Sequence, residues 1–344
     1  MFSKLSGNDR VKETLKRLLA FGRVPNSLLF AGADGIGKRQ FALEIAKAFV
    51  CIAPQDLEGC GDCPACRRVS VFNIPKPDKK DDFKQVFFSE HADVGIVVPY
   101  NKNILVDAIR DLEREAYFRP YEAKARFFII DDADKMNDAA SNALLKTLEE
   151  PASTSHIILI SSRPDSLLQT IRSRCQTVRF APVETEKIEE LLLNTNKFSI
   201  ADAKLAAKLS DGSIRNALSM DVVKFREQRE KMLFILQNLL VRRDRASLLQ
   251  TAEQMNDAKN KDSYEDNLSI LLSLIRDVWT IFLNGTGDNI VNADVVSSLN
   301  KLAESADPQR LSSWMAEIEL VRESFAVNIN RKVATDALFM QMAA

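Results

Sequence analysis

Residues 32–39 read Gly-Ala-Asp-Gly-Ile-Gly-Lys-Arg, and they stand between an apolar run, Ser27-Leu-Leu-Phe-Ala31, and a segment with Phe41, Ile45 and Phe49 at helical spacing. A glycine-rich loop between a buried strand and a helix is the phosphate-loop arrangement, of the form GxxxxGK followed by Ser or Thr. Gly32, Gly35 and Gly37 let backbone N–H groups turn inward around phosphate oxygens, Lys38 adds a point charge, and the following helix adds its positive end. This loop commits the chain to an α/β fold. One position departs from the pattern. Arg39 stands where a hydroxyl would ligate Mg²⁺, and a guanidinium has no lone pair to give a metal.

The rest of the first half has the matching rhythm. Residues 93–98, 126–130, 156–160 and 177–180 read as further strands. Helical stripes fall at Val11, Leu15, Leu18 and Leu19, at Val106, Ile109 and Leu112, and over 139–149. Apolar strands separated by helices predict a mostly parallel sheet covered on both faces. Strand signals stop near Pro182. A chain of 344 residues is too long for one ordinary core. We divide it into a phosphate-loop α/β domain over 1–182, a small helical domain over 183–222 and an all-helical domain over 223–344. Residues 73–85, charged and carrying two prolines, read as a solvated loop.

Four of the five cysteines, Cys51, Cys60, Cys63 and Cys66, lie within sixteen residues with C-x8-C-x2-C-x2-C spacing. Such a cluster suggests a metal before disulfides in a reducing compartment. Four thiolates suit tetrahedral Zn²⁺ and fill its coordination sphere, so the site would be structural. An iron–sulfur cluster or free thiols are the other readings. Gly59 and Gly61 flank Cys60 and allow a tight turn, and Pro64 fixes the last one.

Composition excludes some classes. A formal charge of −1 lacks the basic excess of a protein that holds DNA alone. No apolar run approaches the ~18 residues of a membrane helix, and the N-terminal segment has no signal core, so a cytoplasmic protein with no membrane partner is expected.

Phe127-Phe-Ile-Ile-Asp131-Asp132 has the hhhhDE form of a Walker B strand, with Asp131 as the metal carboxylate and Asp132 in place of the water-activating Glu. The lost methylene shifts that carboxylate by ~1 Å, a displacement worth about a hundredfold in rate. Together with Arg39 this argues against productive binding of ATP with Mg²⁺. Residues 141–151 (SNALLKTLEEP), 171–175 (IRSRC) and 212–218 (GSIRNAL) follow in order. With the phosphate loop they resemble the AAA+ clamp-loader subunits of bacterial DNA polymerase III over roughly residues 5–220, and GKR with DD resembles the non-hydrolysing delta-prime type rather than gamma/tau.

That resemblance implies an AAA+ domain with a zinc-bearing insertion, a helical lid, and a C-terminal collar matched by position only. It implies that Arg174 is an arginine finger acting on a neighbour's ATP, that Arg215 is sensor 2 and that Ser162 lies near sensor 1. Partners would be the gamma/tau and delta subunits, the sliding clamp and primed DNA, with the helix starting near Asn137 as a candidate for DNA-backbone contact. Zinc modules of this spacing occur in such subunits. Two other readings stay open on sequence: an active gamma/tau-type ATPase, and a zinc-bearing adaptor with no catalytic part.

Overall fold

The computed structural model describes residues 2–22, 24–242, 244–256, 263–285, 290–324 and 330–343. They form two compact units, Met1–Ser219 and Met220–Ala344.

The first unit is built on a six-stranded sheet. Its strands are β1 (Ser27–Ala31), β2 (Phe87–Phe88), β3 (Val94–Val97), β4 (Arg126–Ile130), β5 (Ser155–Ser161) and β6 (Gln176–Arg179), in the order β2-β3-β4-β5-β1-β6. All pairings are parallel except β2 with β3. Every residue of β1, β3, β4 and β5 is buried, as expected for strands covered on both faces. The α/β expectation therefore holds.

Helices α1 (Asp9–Ala20), α2 (Lys38–Val50), α3 (Pro64–Val69), α4 (Val106–Ala116), α5 (Asp138–Glu149) and α6 (Gln169–Arg172) connect the strands. On one face, Leu29, Phe128, Ile130, Ile157 and Leu159 pack with Ile109 and Leu112 of α4, Leu144 of α5 and Ile171 of α6. On the other, Phe41 of α2 meets Phe180 edge-on, and Phe180 lies against Phe30 of β1. Three short helices, α7 (Thr185–Asn194), α8 (Ile200–Leu209) and α9 (Ile214–Ser219), complete this unit.

Two features were not legible in the pattern. The charged segment 73–85 is only partly solvated: Lys80–Phe83 forms a 3-10 turn whose Phe83 is buried, against Phe87 and Tyr100. Arg126, at the start of β4, is fully buried. Its guanidinium donates to the Glu115 carbonyl at 2.7 Å and carboxylate at 3.1 Å, and it lies 5.3 Å from the ring centroids of Phe88, Tyr121 and Phe128. The buried Asp93 carboxylate, 3.7 Å from Arg126, accepts the backbone N–H groups of Tyr121, Glu122 and Ala123. The loop between α4 and β4 is thus fixed from beneath.

His156 of β5 stacks on Phe127 with centroids 4.9 Å apart, beside Phe49, and its Nδ1 lies 3.0 Å from the Pro25 carbonyl. Burial holds its pKa below the ordinary 6.5, against the pull of that carbonyl. A histidine depressed in the folded state is protonated first in the unfolded chain, so its contribution is complete above pH 6.5 and lost as pH falls toward the lower folded value. Urea melts of wild type are expected to lose up to about 1.4 kcal/mol per pH unit from this residue below that point. His91, also buried and depressed, adds a similar slope. The His156→Phe variant should lose its share of the slope.

The second unit is helical. It comprises α10 (Val222–Gln237), which runs into a π-helical turn at Asn238–Arg242, and α11 (Arg245–Met255), α12 (Tyr264–Asn284), α13 (Val296–Ala303), α14 (Pro308–Ser324) and α15 (Arg331–Met342). The stripes Leu236 and Leu240, and Leu268, Leu271, Leu272 and Ile275, are buried in one core with Trp314 and Phe339. Arg229 of α10 makes a two-pronged pair with Asp294 at 2.7 and 2.6 Å, tying α10 to the segment before α13.

Candidate functional site

β1 delivers the phosphate loop directly to α2. Gly37, at φ 97, is the N-cap of α2, a left-handed conformation that favours glycine. Gly35 (φ 74) is required for a second reason: a Cβ there would sit 2.1 Å from the Ser213 hydroxyl. The loop is in close contact with the helical segment that begins α9, and the Arg215 N–H donates to the Gly35 carbonyl at 3.1 Å. Gly35, Gly37 and Arg215 wall a cavity of about 780 Å³ that also reaches Lys38, Arg39, Asp131, Asp132, Leu191 and Leu218.

Lys38, Arg39, Asp131, Asp132 and Arg215 all have partners within the protein. Arg39 Nη1 lies 3.6 Å from Asp131 Oδ2, and its guanidinium stands 5.6 Å from the centroid of the Phe72 ring. Lys38 Nζ donates to the carbonyls of Gly32 and Ala33, at 2.7 and 2.5 Å. Asp132, in the left-handed region at φ 50, is paired with Lys135 at 2.8 Å. Arg215 Nη1 is paired with Asp34 at 2.8 Å. Burial depresses the Lys38 ammonium, and the carboxylates of Asp34, Asp131, Asp132 and Asp134 act against it. Burial also pushes the Asp131 carboxyl above the usual range, with Arg39 pulling it down and the Asp132 charge adding to the rise.

The residues do not fit a magnesium ion. A cation already faces Asp131, and no hydroxyl follows Lys38. Ser162 is not among the residues that line the cavity. Its N–H and the Ser161 hydroxyl instead hold Asp134, at 3.1 and 2.9 Å. Burial raises the Asp134 carboxyl, but these bonds and Arg163 outweigh it, so its pKa is lowered. The pairings of Arg215 with Asp34, of Arg39 with Phe72 and of Ser161 and Ser162 with Asp134 join segments distant in sequence and were not legible in the motifs themselves.

Arg174 is elsewhere. It lines a second, open concavity with Pro25, Asn26, Ser27 and Gln176, at the N-terminal ends of β1 and β6. The phosphate loop leaves the C-terminal end of β1, about 17 Å away along five residues of strand. Arg174 Nη2 pairs with Glu149 Oε1 at 2.7 Å, and Nη1 donates to the Thr170 carbonyl at 3.0 Å. Cys175 beside it is buried, its thiol pushed up to about 12 by that burial, as suits a packing residue rather than a nucleophile.

The four clustered cysteines converge. Their sulfurs lie within 4.8 Å of one another, and Cys51 and Cys63 are 3.9 Å apart. Zn–S bonds near 2.3 Å in a tetrahedron require S···S separations of ~3.8 Å. Three backbone N–H groups already point at sulfur: Cys60 N to Cys51, Cys63 N to Cys60 and Cys66 N to Cys63. Cys63 caps α3, and Pro64 opens it. Burial acts to raise the Cys63 thiol, but the N–H groups of Cys66 and Ile52 and the neighbouring sulfurs outweigh it and hold it at about 6. Burial pushes the Cys66 thiol up. The donor set fits a metal such as zinc. Gly61 turns the chain at φ 82 as expected, whereas Gly59 is needed for contact, since a Cβ there would lie 2.6 Å from Lys47 Cβ on α2.

Comparison with known proteins places these features in a family. Residues 7–184 match the family described as DNA polymerase III, delta subunit, and residues 224–341 match its C-terminal counterpart. The delta' subunit of DNA polymerase III from Bacillus subtilis is 29% identical over 321 residues, covering 93% of this chain and 92% of that protein. The delta' subunit from Escherichia coli is 28% identical, covering 93% and 90%. The tau subunit of Bacillus subtilis is 31% identical over 225 residues, but covers only 64% of this chain and 37% of its own.

Proposed function

The chain belongs to the DNA polymerase III delta-subunit family, and from that premise we propose that it serves as a clamp-loader subunit of the delta-prime type, lending Arg174 to a neighbour's ATP while hydrolysing none of its own. The observation that carries this reading is the separation of the two sites. Arg174 lies at the far end of β1 from the chain's own phosphate loop, which supports a role toward a pocket on another subunit rather than its own. An arginine facing a neighbour's nucleotide would stabilise the charge that builds up on a transferring phosphate, an effect worth on the order of 10³–10⁵ in rate.

The chain's own pocket supports the second half. Arg39 neutralises Asp131, and Asp132 is too short and is paired with Lys135. Gly32, Gly35, Gly37 and Lys38 keep the shape of a nucleotide loop. Arg215, the sensor 2 position, is turned onto Asp34 and closes the loop against α9.

Gamma/tau subunits would supply the ATP that Arg174 meets, delta would complete the loader, and the assembly would open the sliding clamp and seat it on primed DNA. Residues 183–222 would act as lid and 223–344 as collar. DNA contact is not assigned to the start of α5. Asn137 caps that helix by accepting the Ala140 N–H, but Asp138 in its first turn sets a carboxylate against phosphate.

Cys51, Cys60, Cys63 and Cys66 would hold one Zn²⁺, which when bound cross-links the module from α2 to α3. The module is anchored beyond its sulfurs: Glu58 accepts the Phe2 N–H and pairs with Lys16 of α1, both at 2.7 Å. Among the described residues, no helix is long and apolar enough to cross a membrane.

Mixing the chain with gamma/tau and delta tests the assignment. A stable complex is expected, with DNA-stimulated ATP turnover and clamp loading that neither partner pair reaches alone. A chain that joins no complex, or joins one without raising turnover, is instead an adaptor.

A further inference from the structure

We infer that Glu149 is a positioning residue for Arg174, setting the direction in which its guanidinium faces the neighbouring subunit. The inference rests on the reading of Arg174 given above and extends it to a residue with no assigned role.

Arginine has five N–H donors in a rigid planar fork. In Arg174 one terminal nitrogen is held by Glu149 Oε1 at 2.7 Å and the other by the Thr170 carbonyl at 3.0 Å. Two fixed contacts, one on each terminal nitrogen, define the plane of the fork. The remaining donors stay available, and the side chain keeps 35% of its exposure. The contact is therefore compatible with engagement of a phosphate.

Both holding groups are placed by helices. Thr170 belongs to α6, two residues before its end. Glu149 is the last residue of α5, and Leu144 and Leu148 of that helix are buried in the core with Ile171 of α6. Pro151 follows the helix and lines the same concavity as Arg174, with Leu148. The carboxylate is thus presented by a packed helix end rather than a loose side chain on a loop. An exposed ion pair of this kind contributes little to stability. Its consequence is angular: a misplacement of ~1 Å at a reacting centre costs up to about a hundredfold in rate.

The test is ATP turnover by the reconstituted loader with gamma/tau and delta, measured as kcat and KM for ATP. Glu149→Ala is expected to lower kcat by about tenfold with KM within twofold of wild type. Glu149→Gln, which keeps an acceptor oxygen at the same reach, should recover most of the rate. Arg174→Ala in the same assay should cost far more, and Glu149→Ala should add nothing to it. If Arg174→Ala lowers turnover but Glu149→Ala does not, the positioning role is wrong and the finger stands. If Arg174→Ala itself has no effect, the finger assignment fails and the inference goes with it. A Glu149→Ala loss that Gln does not recover, or that appears equally in the Arg174→Ala background, marks a structural role and overturns the inference.

Discussion

Replacing Arg174 with alanine is expected to lower ATP turnover in the reconstituted loader on the order of 10³-fold, with a much smaller change in KM for ATP. The separation follows from when the charge matters. A guanidinium facing the γ-phosphate of a neighbour gains most as charge shifts in the transition state, and an interaction made only there moves kcat. The variant should fold normally, since Arg174 is partly exposed and its pair with Glu149 lies at the surface. Arg174→Lys should fall between wild type and alanine: it keeps the charge but loses the fork that Glu149 and Thr170 orient. Pre-steady-state turnover with unlabelled DNA and clamp measures this directly. Equal rates for wild type and Arg174→Ala would remove the finger.

The second large effect is on the cysteine module. One zinc per chain is expected by metal analysis of protein purified under reducing conditions, and Cys66→Ser should abolish it. Cys66 is buried, one sulfur among four within 4.8 Å, so a serine there loses a ligand and leaves a hydroxyl among thiols. Structural zinc sites bind with about 10–16 kcal/mol of apparent free energy that is coupled to local folding. The module should therefore lose amide-exchange protection over 51–69 when the metal is removed. The sheet should persist, because the core that β1, β4 and β5 share with α4, α5 and α6 contains no residue of the module. The damage should reach Phe72 and its contact with Arg39, since α3 leads straight into that segment. Iron in place of zinc would point to the cluster reading, and no metal at all would refute the site.

Much of the first unit is legible in the chain because its signals are local. A glycine loop between an apolar strand and a helix can be read from a dozen residues, and fully covered strands such as β4 and β5 leave unbroken apolar runs. The cysteine spacing is local in the same way. Contacts between distant segments leave no such trace. Asp34 and Arg215 are 181 residues apart in sequence, and nothing in either segment announces the pair. The two-residue strand β2 is too short for any periodicity. Phe83 sits within a run of lysines and aspartates, so its burial is decided by Phe87 and Tyr100 rather than by its neighbours. The site was half legible. Arg39 visibly lacks the chemistry to hold a metal, but its turn onto Asp131, beneath Phe72, depends on the segment after α3. The position of Arg174 at the far end of β1 depends on the sheet order, which places β6 beside β1.

On the proposed reading, this subunit keeps the shape of a nucleotide pocket without its chemistry. Steady-state ATP hydrolysis by the purified chain, with Mg²⁺ and without partners, tests it most directly. Turnover at the assay background, unchanged by Lys38→Ala, is expected. Magnesium-dependent turnover that disappears in Lys38→Ala would contradict it.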